Sequence, residues 1–335
     1  MNIIGLDIGS FSIKVAQIEK TKGGFRLLSL GKTATPQSGL EADSQKSQIA
    51  VAETIKKLLK DLDIKNDRVV IALPEAKIAS RVIKVPLMSD EELTSSLKYE
   101  ADAFVPFPLD EAVLRHQIIE RNEKEGVIEV LLVASPKQLV DKYLKLLKLA
   151  GLVPLAMETE LMALNRALIE DKSPNTMVVD FGFRSCNFAI SRGGNIYLTR
   201  SFPVAGEVLT KSLASDLGID VTQAEEYKKA YGMNKEVLEG KIRKIITPLL
   251  EDTCNEMRKA IQYFEQEKKE TVKEIILGGG SASLPEVVQV MASSLNIEVR
   301  LANPFSLLVY EKSVFSQFEE EGPLFSVVIG LAKRE

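Results

Sequence analysis

The sequence predicts an α/β protein of two related lobes, with a smaller strand-and-helix block inserted in the first. Three observations predict it. An apolar strand ending in Asp-x-Gly-x-x-Ser occurs twice: as IGLDIGSFSIKVA, with Asp7, Gly9 and Ser12, and as VVDFGFRSCNFAI, with Asp180, Gly182 and Ser185. Each copy runs on into another strand and a Gly-Gly turn, Gly23-Gly24 in the first half and Gly193-Gly194 in the second. A length of 335 residues, at roughly 150 per domain, also asks for about two units of ordinary size.

The opening segment, NIIGLDIGSFSIKVAQIEK, alternates well enough to form a strand, a tight turn and a second strand, and Lys22-Gly23-Gly24 turns it into RLLSLGKTAT. This is a three-stranded antiparallel start. After a polar stretch, residues 44 to 62 bring Ile49, Ala52, Ile55, Leu58, Leu59 and Leu62 to one helical face. RVVIALPE at 68 to 75 reads as a short buried strand. Ser89, followed three residues later by Glu92, opens a helix over 89 to 103, and Pro106 and Pro108 set its end. A strand pair spans HQIIERNEKEGVIEVLLVAS, an amphipathic helix over 136 to 150 stops at Gly151, and LVPLAME is a further short strand. The block from about 83 to 150 thus has a pattern of its own.

The second half opens after Ser173-Pro174-Asn175. Beyond the repeated strand pair come a helix near 207 to 217, a charged helix at 222 to 231 and a long amphipathic helix at 240 to 267. The strand EIIL then runs into Gly278-Gly279-Gly280 and a helix, and GPLFSVVIGLAKRE carries the last helix.

Composition narrows the chemistry. Apolar residues are 45% and charged residues 27%, the usual mix for a chain with a sizeable core. Lys plus Arg is 43 against 47 for Asp plus Glu, a net charge of −4 without a basic stripe, so nucleic acid is not an expected partner. Two separated cysteines, Cys186 and Cys254, suggest neither a disulfide framework nor a zinc site. The one histidine, His116, leaves no His-based triad, so chemistry must use carboxylates, hydroxyls, amides and a bound ion. MNIIGLDIGS has no signal-peptide pattern, and no stretch approaches the ~20 apolar residues of a membrane span; a soluble, cytoplasmic protein is expected.

An Asp-x-Gly turn between two strands lets backbone N–H groups point inward, where they cradle phosphate oxygens, while the acid holds a hydrated divalent cation. A single such turn is usually only a hairpin. Two at corresponding places, with a distal triple glycine ahead of a helix, describe a clamp. Other phosphate motifs fail: Gly31-Lys32-Thr33 lacks the upstream P-loop glycine, position 26 being Arg26, and neither GLDIG nor GGGSAS spells G-x-G-x-x-G.

These residues resemble the actin-like ATPases and, among them, the PilM family of type IV pilus assembly proteins, related to the division protein FtsA. IGLDIGSFSIKV looks like the first phosphate loop of the family, VVDFGFRSCNFAI like the second, and IILGGGSASLPEV like the adenosine motif. Ala224-Glu225-x-x-Lys228-x-x-x-Gly232 is similar to the nucleoside-bordering helix, and ETELMALNRAL and FSVVIGLAKR resemble the two connecting helices. The pilus branch is marked by EELTSSLKYEADAFVPFPLDEA and VLLVASPKQLVDKYLKLLKLAGLVPLAMETE.

The resemblance implies an actin-like fold: a ribonuclease H-like duplicated core in two lobes with an FtsA-like inserted subdomain. Residues 1–82, completed by 152–172 and the helix 323–335, would form the core of lobe 1, and 83–151 the inserted subdomain. Residues 173–215 and 272–322 would form the core of lobe 2, and 216–271 its helical small subdomain. It further implies ATP or ADP with Mg²⁺ between the lobes. Asp7 and Asp180 would hold the metal largely through waters; Gly9, Ser10, Ser12 and Gly182 would line the phosphates, with Lys14 a phosphate ligand or simply a strand lysine. Arg184 would add a charge-assisted contact, although Phe183 and Arg184 stand where relatives carry small and hydroxyl residues, which argues for at most a weak ATPase. Glu225 and Lys228 would meet ribose and base, with Gly279, Gly280 and Ser281 beneath the adenosine. Glu158 falls where relatives place a water-positioning acid, and also reads as a plain helix-capping carboxylate.

The partner implied is the short cytoplasmic tail of a PilN-like bitopic inner-membrane protein, in a groove between the first core and the inserted subdomain. Phe104, Val105, Phe107 and Leu109 are its candidate lining, or the packing under a proline turn. Pilus motor or platform proteins and self-association are the further expected contacts. The sequence has no amphipathic anchor after its last helix, so inner-membrane association is expected through partners. An FtsA-like filament former and a small-molecule kinase of the same fold are the alternatives.

Overall fold

The structure, a computed structural model, describes residues 2–36, 39 and 44–334. Met1, most of the polar stretch before the first helix, and Glu335 lie outside the described residues.

Three consecutive strands, β1 (Asn2–Ile8), β2 (Ser12–Thr21) and β3 (Gly24–Ala34), pair antiparallel, as the alternation predicts. Helix α1 (Gln45–Asp61) is capped by the Ser44 side chain and buries Val51, Ala52, Ile55, Leu58 and Leu59. Ile49, expected on that face, is 42% exposed instead: the buried stripe runs through Val51, and Ile49 falls on the outer side of the helix. The α1 crossover lets β4 (Arg68–Leu73) lie parallel to β1.

The inserted block comprises β5 (Ala79–Pro86), α2 (Asp90–Asp102), β6 (Ala112–Asn122) and β7 (Val127–Pro136), in a three-stranded sheet of order β5-β7-β6. Ser89 and Glu92 form the expected capping box on α2. Strand β5 was not evident in the sequence; its residues are mostly half-buried, and its partner β7 is distant in the chain. It begins before residue 83, so the inserted sheet draws on residues that the sequence reading gives to the first core. Helix α3 (Lys137–Ala150), closed by Gly151 in the left-handed conformation, returns the chain to β8 (Val153–Thr159), parallel to β4.

After α4 (Glu160–Leu168) the pattern repeats. Strands β9 (Thr176–Phe181), β10 (Cys186–Arg192) and β11 (Asn195–Phe202) pair antiparallel. Helices α5 (Gly206–Leu217), α6 (Val221–Tyr231) and α7 (Lys241–Lys268) follow, and β12 (Glu274–Gly278) then joins parallel to β9. Helix α8 (Val287–Leu295) leads to β13 (Glu298–Leu301), and β14 (Leu308–Val309) adds to the edge of β3. A single turn, α9 (Lys312–Phe315), precedes α10 (Gly322–Ala332). The sheets run β14-β3-β2-β1-β4-β8 and β11-β10-β9-β12-β13. Three antiparallel strands followed by two parallel ones in each make them two copies of one arrangement.

Helices α4 and α10 pack against each other between the two sheets. Their approach is so close that a Cβ on Gly330 would stand 1.8 Å from the Ala163 carbonyl oxygen. Val70 and Ala72 from one sheet, Val178 and Ile276 from the other, and Leu161 and Leu331 from these helices form one buried cluster. Full burial of each larger aliphatic here contributes roughly 1.5–3 kcal/mol. The lobes therefore share a core at their base, and β1 and β9 deliver Asp7 and Asp180 to the cleft between them.

Candidate functional site

The two repeated turns have the same geometry. Gly9 N–H donates to the Ser12 carbonyl at 3.1 Å, and Gly182 N–H donates to the Ser185 carbonyl at 3.0 Å. In the strand register Asp7 faces Lys14 and Asp180 faces Asn187, so Lys14 and Asn187 are the equivalent residues of the two copies. Lys14 is buried and donates to Asp7 Oδ2 at 2.8 Å. Burial alone would lower its ammonium, but Asp7, with Asp180 and Glu160 behind it, raises it above the usual lysine value. Asn187 instead donates to Glu160 Oε2 at 3.0 Å.

The acids repel one another. Burial, then the Asp7 charge, push the Asp180 carboxyl up to about 6 against the pull of Lys14. Burial and both aspartates hold the Glu160 carboxyl well above its ordinary range, against the Glu75 N–H that donates to it at 3.1 Å. Lys14 offsets only part of this negative charge on hard oxygen donors, an arrangement that suits a divalent cation such as Mg²⁺. Among the described residues no group of three or more acids, histidines or cysteines converges on a metal position. Mg²⁺ held here would keep water or phosphate oxygens for its remaining ligands.

Lobe 2 closes around the second turn. Gly279 has φ of 85°, and a Cβ there would lie 2.4 Å from Asp180 Oδ1, so only glycine fits. Gly280 opens the short turn after it, and Ser281 Oγ donates to the Gly182 carbonyl at 2.8 Å. Gly206 and Glu207 N–H groups at the start of α5 donate to the Gly182 and Phe183 carbonyls. Arg184 lies 3.3 Å from Glu207. Buried Lys228 donates to the Gly206 carbonyl, to Thr210 Oγ1 and to Glu225 at 3.0, 2.9 and 2.7 Å. Burial depresses its ammonium despite Glu225. For Glu225 burial works the other way, but hydrogen bonds from Lys228 and Thr210 leave it below the usual carboxylate range. Ser10 is exposed at the head of the first turn, and Ser12 closes that turn.

Glu158 stands elsewhere. Both its oxygens accept from Arg166, at 2.6 and 2.7 Å, and Arg334 adds a further ion pair, so it ties β8 to α4 and to the chain beyond α10. The acid placed with the two aspartates is Glu160, two residues later, which the sequence reading did not single out. The signal was present: Thr159 caps α4, putting Glu160 in its first turn.

Phe104, Val105 and Leu109 pack on the core of the inserted block, and Phe107 is half-buried. Phe104 also lines a groove of about 350 Å³. Its walls are Arg81, Lys84 and Glu129 of the inserted sheet and Tyr197, Tyr263 and Lys268 of lobe 2, whereas the expected groove lay against the first core.

Residues 5–335 match the family described as type IV pilus assembly protein PilM. The chain belongs to that family. It is similar to a solved PilM-PilN type IV pilus biogenesis complex, at 26% identity and a TM-score of 0.88, over 99% of this chain and 98% of that one. Cell division protein FtsA of Enterococcus hirae is 24% identical over 375 residues, 98% of this chain and 81% of the relative. MreB 5 of Spiroplasma citri, solved bound to AMPPNP, shares the fold at a TM-score of 0.55 and 14% identity, over 98% of this chain and 94% of that one. The actin-like, two-lobed fold and the role in type IV pilus assembly expected from the sequence are thus borne out. FtsA is the more distant relation, so a division filament is not favoured. Among the described residues no helix is long and apolar enough to cross a membrane.

Proposed function

We propose that this PilM-family chain is a cytoplasmic nucleotide-binding scaffold of the pilus machine, with slow or no hydrolysis of ATP. The observation that carries the reading is the pair of equivalent turns facing each other, with Asp7 and Asp180 at their bases. ATP or ADP would lie between the backbone N–H groups of the two turns, against Gly9, Ser10, Ser12 and Gly182, with Lys14 and Arg184 as cationic neighbours. Glu225 and Lys228 would border the nucleoside, and Gly279, Gly280 and Ser281 would lie beneath it. Mg²⁺ on Asp7 and Asp180 would neutralise phosphate charge and offset the burial and mutual repulsion that raise Asp180 and Glu160. The nucleotide-bound MreB 5 of the same fold supports the ligand class.

Slow turnover is supported by the bulky Phe183 at the head of the second turn. The solved PilM-PilN complex supports a PilN-like tail as the partner that brings the chain to the inner membrane. Ligand bridging both lobes would shift the population toward a closed form and link the two binding events.

Calorimetric titration of Mg²⁺-ATP into the native chain, Asp7→Ala and Asp180→Asn tests the site. Binding in the native chain that falls at least about tenfold in both variants is expected. Unchanged affinity in the variants sinks the cleft assignment.

A further inference from the structure

The heads of the two facing turns carry bulky rings, and the rings touch. Phe11, from lobe 1, and Phe183, from lobe 2, have centroids 5.2 Å apart with planes inclined at 49°. Phe11 is 48% exposed, so no core of its own lobe holds it there. Lobe 2 supplies a second contact: the ammonium of Lys229 on α6 lies 4.7 Å from the centroid of Phe11. Lys229 is itself anchored 3.1 Å from Glu225 Oε1. On the other side, Lys228 stands 6.0 Å from the centroid of Phe183. The backbone of Phe183 is fixed as well, since its carbonyl accepts from Glu207 N–H at 2.7 Å. The head of the first turn is therefore seated in lobe 2, between an aromatic ring and a lysine that neighbours the nucleoside-side residues.

We infer that Phe11 is an autoinhibitory latch: seated on Phe183 and Lys229, it closes the mouth between the two turns, and nucleotide must unseat it to enter. The inference rests on the nucleotide reading of the same cleft. A phosphate chain lying between the two turns needs the space between their heads, and the paired rings span it. The contact joins the lobes without any ligand, so breaking it is a cost charged against every nucleotide that binds. A residue that served the nucleotide directly, by stacking on it, would act in the opposite direction.

Association rates and affinities of Mg²⁺-ADP and of a non-hydrolysable Mg²⁺-ATP analogue separate these cases, measured by stopped flow and calorimetry. The comparison uses the native chain, Phe11→Ala, Phe183→Ala, the double variant and Lys229→Met. Phe11→Ala is expected to bind both nucleotides faster and roughly three- to tenfold more tightly, the range set by loss of one aromatic pair. Phe183→Ala should gain in the same direction, and the double variant should gain no more than Phe11→Ala alone, because removing the Phe11 ring already breaks its contacts with both Phe183 and Lys229. Lys229→Met should gain in the same direction. Weaker binding by Phe11→Ala, or additive gains in the double variant, would overturn the latch. Equal binding by all forms would overturn it too while leaving the cleft assignment standing; no binding by any form would remove the nucleotide reading and the latch together.

Discussion

Lys14 and Asp7 face each other across neighbouring strands with 2.8 Å between ammonium and carboxylate, both buried, while the equivalent pair in the second lobe is Asn187 and Asp180. The duplication has thus kept the acids and diverged at their partners. The cleft holds Asp7, Asp180 and Glu160, and Lys14 is the cation set among them.

Lys14→Met should therefore be costly without any ligand present. It leaves Asp7 buried beside like charges, and removing one partner of a buried pair typically costs about 3–5 kcal/mol. Urea unfolding at neutral pH is expected to register a loss of that size. The double variant Lys14→Met with Asp7→Asn should recover most of it, because no unpaired charge then remains. Equal losses in the single and double variants would mean that the packing of the lysine stem, not its charge, is what matters.

Glu158 and Glu160 are expected to part company on substitution. Glu158→Ala takes away the carboxylate that Arg166 and Arg334 share; their side chains are 28% and 36% exposed and partly reach water, and Arg166 keeps its bond to the Gly330 carbonyl, which brings the expected loss to about 2–3 kcal/mol. Nucleotide affinity should stay as it was. Glu160→Gln removes a carboxyl that burial, and then the two aspartates, already press toward the neutral form, so its urea midpoint should hold or rise. Its effect should instead appear in Mg²⁺-nucleotide affinity. A destabilised Glu160→Gln would contradict the electrostatic account of the cleft.

What the sequence made legible was local. Asp7, Gly9 and Ser12 and their copies specify strand, turn and strand within a dozen residues, and Ser89 with Glu92 specifies a helix start. The inserted strand β5 depends on pairing with β7 some fifty residues away, and no local alternation announces it. Choosing between Glu158 and Glu160 required knowing that the strand ends at Thr159: a strand's last residues alternate faces, and the helix that follows aims the next acid afresh. The contact of Phe11 with Phe183 joins two lobes and leaves no trace in either segment.

Gly330→Ala tests the shared base of the lobes. The added methyl would lie 1.8 Å from the Ala163 carbonyl oxygen, a backbone atom that cannot swing aside as a side chain can. Helices α4 and α10 must separate, opening the cluster around Leu161 and Leu331. A loss of about 3 kcal/mol in urea unfolding is expected, at the upper end for overpacking. Gly126→Ala is the control: its φ of 65° carries its own modest strain, but nothing lies within 4 Å of the added Cβ.

Glu75 should make stability fall as pH rises from the acid side toward neutrality. It is buried beside the site, its Oε2 has no hydrogen-bond partner, and burial pushes its carboxyl from 4.5 up to about 7, against hydrogen bonds from Thr159, Leu161 and Ser80. Between those two values the unfolded chain has lost the proton while the folded chain keeps it. The folded state therefore binds more protons there, and this group withdraws stability as pH climbs from about 4.5 to 7, by about 3 kcal/mol in all. Above about 7 both states are ionised and its contribution is level. Glu75→Gln places a neutral amide in the same space, so unfolding curves taken from pH 5 to 8 should lose this downward slope, and the variant should be the more stable form at pH 8. A slope that survives the substitution would assign the pH dependence to the other raised carboxyls, Asp180 and Glu160.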